Sequence, residues 1–84
     1  MYEIIIERRA ERDIKRLSEL DFNRIVPRIR ALAKDPRPSG CRKITGSKND
    51  WRIRIGDYRV IYTIYDKTKV VELMRVRHRR EAYD

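Results

Sequence analysis

Residues 51–84 read WRIRIGDYRVIYTIYDKTKVVELMRVRHRREAYD, and the alternation inside this stretch decides the fold. Side chains of a strand point to opposite faces with a period of two. Arg52 and Arg54 therefore share one face of their strand, while Trp51, Ile53 and Ile55 share the other. The pattern predicts three strands, at about 51–55, 58–65 and 69–76. Gly56-Asp57 joins the first pair and Asp66-Lys67-Thr68 the second, both short enough for antiparallel hairpins. In the second strand Val60, Tyr62 and Ile64 fall on the apolar side, leaving Arg59, Ile61, Thr63 and Tyr65 with Arg52 and Arg54. In the third, Val70/Glu72/Met74/Val76 and Val71/Leu73/Arg75 are both largely apolar, as expected of a central strand buried from both sides. The expectation is a sheet with an apolar back and a cationic front.

Upstream, Tyr2, Ile4 and Ile6 alternate as a short strand that ends at Arg8. Ala10, Ile14 and Leu17 then recur at i, i+4 and i+7, one apolar stripe of a helix whose other faces carry Arg8, Arg9, Glu11, Arg12, Asp13, Lys15 and Arg16. A second helix is expected from Asp21 as its N-cap, burying Phe22, Ile25, Ile29, Leu32 and Ala33 and stopping at Lys34 or Asp35, before Pro36 and Pro38. Pro27 lies inside it and predicts a kink or a start only at Val26, because its missing N–H removes the bond to the Asn23 carbonyl. Residues 35–50, DPRPSGCRKITGSKND, read as a connecting loop with a short extended piece around Arg42 to Thr45. The order strand, helix, helix, then three strands predicts one α+β domain over residues 1–84, a small antiparallel-dominated sheet with two helices packed on one face. The opposite face is then free for binding.

Composition narrows the partners. The 84 residues include 22 Lys and Arg against 13 Asp and Glu, a net charge of +9. Such a field concentrates phosphate backbones and acidic proteins around the chain. One cysteine, Cys41, cannot form an internal disulfide, and a secreted domain this small ordinarily needs several, so the cytosol is the expected compartment. MYEIIIERR has too short an apolar run for a signal peptide, and no stretch approaches the roughly 20 apolar residues that cross a bilayer. A lone His78 beside a lone Cys41 supplies no metal-ligand set, and no cofactor is expected.

RNA cleavage by the strand's own 2′-hydroxyl needs a proton acceptor, a group that stabilises charge on the phosphorane, and a donor to the departing 5′-oxygen. Arginine suits the second task, since its planar fork binds phosphate oxygens bidentately and keeps its charge; that permanence makes it a poor base. Arg52, Arg54, Arg59 and Arg79 are the candidate clamp, and His78 and Tyr83 are the side chains better able to move a proton or orient the hydroxyl. Lys43, Lys48, Arg77 and Arg80 are further candidates for RNA contact. Each has a plainer explanation taken alone. Arg52 and Arg54 also read as solvent-facing residues of a half-exposed strand, His78 as a surface histidine and Tyr83 as a frayed terminal residue.

The element order, DPRPSGCRKITGSKNDWRIRIGDYRVIYTI over residues 35–64, and the ending VRHRREAY over 76–83 resemble the RelE branch of the RelE/ParE superfamily of prokaryotic type II toxins. The resemblance implies a monomeric toxin that enters the ribosomal A site and cuts mRNA without a metal, and that is normally held by an acidic, largely helical RelB-like antitoxin. It implies that Arg52 and Arg54 are the paired basic positions, Arg59 the phosphate-binding arginine, Arg79 the proton source for the leaving group and Tyr83 the residue that orients the nucleophile. Where the best-studied active site of this type has lysines this chain has Arg52 and Arg54, which removes the lysine base and makes His78 a candidate for that role. Only Asp84 follows Tyr83, so no additional C-terminal helix is expected. The ParE branch, which shares the fold and poisons DNA gyrase by binding, is the alternative, together with a weakly cutting toxin that mainly binds its antitoxin.

Overall fold

The structure, a computed structural model, describes residues 1–82. Strands β1 (Glu3–Ile6), β2 (Arg42–Lys43), β3 (Asp50–Ile55), β4 (Tyr58–Tyr65) and β5 (Val70–His78) form one sheet in the order β1-β5-β4-β3-β2. Helices α1 (Arg8–Lys15) and α2 (Glu19–Ala31) follow β1. The pairings β2–β3, β3–β4 and β4–β5 are antiparallel, and β1 lies parallel to β5, the chain between them running through both helices and then β2 to β4. The expected α+β architecture is present. A one-turn helix α3 (Arg79–Ala82) follows β5 and precedes Tyr83, where the Arg79 N–H is held by the Asp57 carbonyl at 2.7 Å and the chain turns out of the sheet.

Both helices pack on the apolar face. Ala10, Ile25, Ile29 and Leu32 meet Ile53, Ile55, Val60, Tyr62, Ile64, Val71, Leu73 and Val76 in one core. Tyr62 is fully buried, its O–H donating to the Pro36 carbonyl at 2.8 Å, and burial pushes the phenol above its ordinary pKa because the anion would be desolvated. Trp51 packs at the edge of this core with the Arg37 guanidinium 5.2 Å from its ring centre. Ile4 and Tyr2 pack inward, whereas Ile6 and Ile5 at the end of the edge strand stay 45% and 42% exposed.

Helix α2 departs from its expected limits. Ser18, not Asp21, is the N-cap: its Oγ accepts from the Asp21 N–H, and Asp21 stands in the first turn where a carboxylate meets the positive helix end. Asp21 precedes Ile25 by four residues and so takes the inward position of that turn, leaving Phe22 42% exposed instead of buried. Pro27 neither breaks the helix nor delays it to Val26. An interior proline costs about 3 kcal/mol or more, and burying Ile25, Ile29 and Leu32 returns roughly 1.5–3 kcal/mol each. The helix closes at Ala31, ahead of the expected Lys34 or Asp35, because Leu32, Ala33 and Lys34 bond three residues back in a tightened last turn.

The third strand of the hairpin set resolves into two parities. Ile61 pairs with Arg75 and Tyr62 with Leu73, so Met74 is an extra residue, a β-bulge. Val71 and Leu73 point inward before it and Val76 after it. Glu72, Met74, Arg75 and Arg77 are half-buried, so β5 is covered on one face and not, as expected, on both.

Candidate nucleic-acid interface and active site

The β3–β4 hairpin sets the front face. Gly56 has φ +60 at the first position of the two-residue Gly56-Asp57 turn, the place where a II′ turn requires glycine. The turn puts Arg54 directly opposite Arg59, and β5 puts Arg77 on the other side of Arg59. Three guanidinium-bearing residues thus lie in one row across adjacent strands, about 4.8 Å apart from strand to strand. Like charges directly opposite destabilise a sheet, which makes the row a place prepared for an anion. Burial sharpens this at Arg77, whose Nε is buried with no hydrogen-bond partner among the described residues.

The bulge sorts two arginines that sequence spacing alone does not separate. Arg75 turns to α1, its Nε 2.8 Å from Asp13 Oδ2 and its Nη2 3.3 Å from Oδ1. Asp13 Oδ2 also accepts from the Val76 N–H at 2.9 Å, beyond the point where β1 stops pairing with β5. Arg75 is therefore a structural residue, and Arg77 remains on the front.

Two recesses flank Arg59. The first, about 140 Å³, is lined by Arg54, Gly56, Asp57, Tyr58, Arg59 and Arg79. Arg79 arrives there through the Asp57 carbonyl bond that starts α3. The second, about 230 Å³, has Arg52, Arg59 and Arg77 around Ile61, with Lys43, Ile44 and Thr45 completing it. Of the expected clamp, Arg54, Arg59 and Arg79 meet in one recess, and Arg52 joins them through Arg59. Lys43 and Arg77 line the second recess, and Lys48 is exposed in the loop before β3 and lines neither.

His78 is not brought into this group. It pairs with Tyr58 on the helix-facing side, edge to its ring at 5.2 Å, and its Nδ1 accepts from the Arg80 N–H at 3.2 Å. It shares an open surface with Asp57, Arg79 and Arg80 instead. Tyr83 lies outside the described residues. Tyr58 is held protonated, its pKa raised by burial and by Asp21 of α2, so it can donate a hydrogen bond but is not poised to take a proton.

Sequence reading missed Asp57 as a member of the recess and Arg24 as its support. Arg24 reaches from α2 across Gly56, where a Cβ would stand 2.9 Å from the Arg24 Cζ. The Gly56-Asp57 dipeptide between two arginine-bearing strands signalled the first. Nothing in the sequence signalled Arg24, one of several exposed arginines on its helix.

Residues 4–83 match the family model described as the ParE toxin of the type II toxin–antitoxin system, parDE. This chain belongs to that toxin family. One chain of the RelE–RelB complex of Pyrococcus horikoshii OT3 superposes with a TM-score of 0.82 at 26% identity, covering 93% of the toxin and 94% of that chain. RelE1 of Methanocaldococcus jannaschii is 25% identical to the toxin over 98% of its length and 94% of its own. The isolated Escherichia coli RelE toxin has the same fold, with a TM-score of 0.82 at 20% identity over 99% of this chain and 96% of that one. The toxin is of RelE type within the superfamily. No described helix is long and apolar enough to cross a membrane.

Proposed function

We propose that the toxin is a ribosome-dependent mRNA endonuclease that cuts by 2′-hydroxyl attack, and the observation that carries this reading is the Arg54–Arg59–Arg77 row beside the recess that Arg79 completes. In the reaction the 2′-oxygen forms a bond to the adjacent phosphorus as the bond to the 5′-oxygen breaks, giving a cyclic phosphate and a 5′-hydroxyl. Charge builds on the non-bridging oxygens. Arg54 and Arg59 hold those oxygens, Arg52 holds the neighbouring phosphate, and Arg79 meets the departing 5′-oxygen. Tyr83 orients the 2′-hydroxyl, as the RelE resemblance implies.

The proton of that hydroxyl goes to a group other than arginine. Asp57 is the carboxylate that lines the recess, and His78 stands on the far side of Arg79. Lys48 and Arg80 serve contact with mRNA and with rRNA of the A site. The reaction uses no cofactor, and the toxin works in the prokaryotic cytoplasm. Its antitoxin is an acidic RelB-like protein, in keeping with the +9 charge and with the RelE–RelB complexes solved for two archaeal relatives.

Primer extension on a defined mRNA, with and without translating ribosomes, tests the reading. Arg59→Ala should cut about a hundredfold more slowly, the scale of losing one preorganised oxyanion donor. A rate close to wild type would remove Arg59 from the mechanism. The ParE description of the family model favours a second reading, gyrase inhibition by binding. Intact mRNA together with inhibited DNA supercoiling would establish it.

A further inference from the structure

We infer that Arg24 of α2 is a substrate-binding residue, holding the mRNA phosphate on the leaving-group side of the cleaved bond; this rests on the RNA-cutting reading above. Arg52 and Arg54 stand on the front of β3 two residues apart, and a further step of two brings the chain to Gly56 at the head of the turn. Each step spans about 6.6 Å at the rise of a strand. Arg52 serves the phosphate before the cleaved one, and Arg54 with Arg59 serves the cleaved one. The place at residue 56 therefore falls to the next phosphate in the same direction, on the side where Arg79 meets the departing oxygen. Gly56 has no side chain to hold it, so the charge must come from another element.

Arg24 brings that charge. Its guanidinium lies against Gly56, with Cζ 2.9 Å and Nη1 3.2 Å from the point where a Cβ would stand. Any side chain at residue 56 would take that space, so the glycine admits the cation to the turn as well as meeting the backbone need at φ +60. Arg24 is exposed and makes no ion pair among the described residues. Asp21, one turn earlier on the same helix, faces Tyr58 instead. Packing against a glycine does not need a charge. An incoming phosphate does, and the planar fork of an arginine meets its oxygens with two donors. Because Gly56 also lines the recess of Arg54, Arg59 and Arg79, Arg24 stands at the rim of the site that holds the cleaved phosphate.

The test is single-turnover cutting of a defined mRNA held in the A site of purified ribosomes, with the toxin in varied excess. The half-maximal concentration and the maximal rate are then read separately. A second mRNA carries one uncharged methylphosphonate in place of the phosphate 3′ to the cleaved bond. Wild-type toxin should need about tenfold more protein to reach half-maximal rate on the neutral linkage, the scale of one charge-assisted hydrogen bond. Arg24→Ala should need that excess on the ordinary mRNA already, and the neutral linkage should add nothing to it. Arg24→Lys, which keeps the charge and loses the fork, should fall between. The change should lie in the half-maximal concentration, whereas Arg59→Ala lowers the maximal rate.

Arg24→Ala toxin as effective as wild type on the ordinary mRNA overturns the assignment. So does a penalty for the neutral linkage that persists unchanged in Arg24→Ala, since another group would then hold that phosphate. A lower maximal rate together with easier urea unfolding, at an unchanged half-maximal concentration, would make Arg24 a support of the turn alone and overturns it too. Wild-type toxin that leaves unmodified, ribosome-bound mRNA intact defeats the RNA-cutting reading and this assignment together.

Discussion

Arg59 draws its importance from its neighbours, because two recesses meet at it and two arginines flank it on adjacent strands. Asp57 is the residue that tests how the proton moves. If it accepts the 2′-hydroxyl proton, Asp57→Asn slows single-turnover cutting by about a hundredfold or more, while His78→Ala leaves the rate close to wild type. The reverse pattern would assign the base to His78. Gly56 tests the frame of the site. Its φ of +60 costs a side-chain-bearing residue about 1–2 kcal/mol, so Gly56→Ala should unfold at correspondingly lower urea. Arg24 is flexible and can swing aside, so adding Arg24→Ala should recover little of the loss, and full recovery would place the cost in the side-chain clash.

Among the elements, β5 carries the most consequence, since its bulge at Met74 lets one strand serve the core and the front in turn. Asp13 secures that irregularity with bonds to Arg75 and to the Val76 N–H. Removing one partner of a largely buried charged pair strands the other. Asp13→Ala should therefore lose about 2–4 kcal/mol in denaturant unfolding, against a few tenths for an exposed charge on the same helix. A loss below about 1 kcal/mol would show that the bulge holds itself. The hairpin of β3 and β4 was legible in advance because a two-residue turn and strict alternation are local. The bulge was not, since Val70/Glu72/Met74/Val76 and Val71/Leu73/Arg75 are both largely apolar and only packing against α1 chooses between them. The start of α2 was misread for a related reason: Ser18 and Asp21 both suit a cap, and the inward position of Asp21 is set by Tyr58 across the core.

At the scale of the whole molecule, one polar cluster ties together parts distant in sequence. Arg37 donates twice to Asp66, at 3.3 and 2.8 Å, and the Tyr2 O–H donates to the same carboxylate at 2.6 Å. The Arg37 bond, then the Tyr2 bond, hold Asp66 down to about 2. A carboxylate lowered on folding stabilises the folded state above its unfolded pKa and ceases to do so as pH falls through the folded value, here between about 4 and about 2. Part of the acid drop in Tm over that window should disappear in Asp66→Asn, by a small amount because the group is exposed and screened. An identical acid drop in both proteins would exclude the cluster from acid unfolding. The sequence by itself determined the strands of residues 51–65, the face shared by Arg52, Arg54 and Arg59, and the cationic field, because alternation, turn chemistry and net charge are local or additive. Tertiary structure alone decided the parallel docking of β1 on β5, the withdrawal of Arg75 to Asp13, the removal of His78 to the helix side and the reach of Arg24 over Gly56, because each depends on which distant side chains share a contact once the core closes.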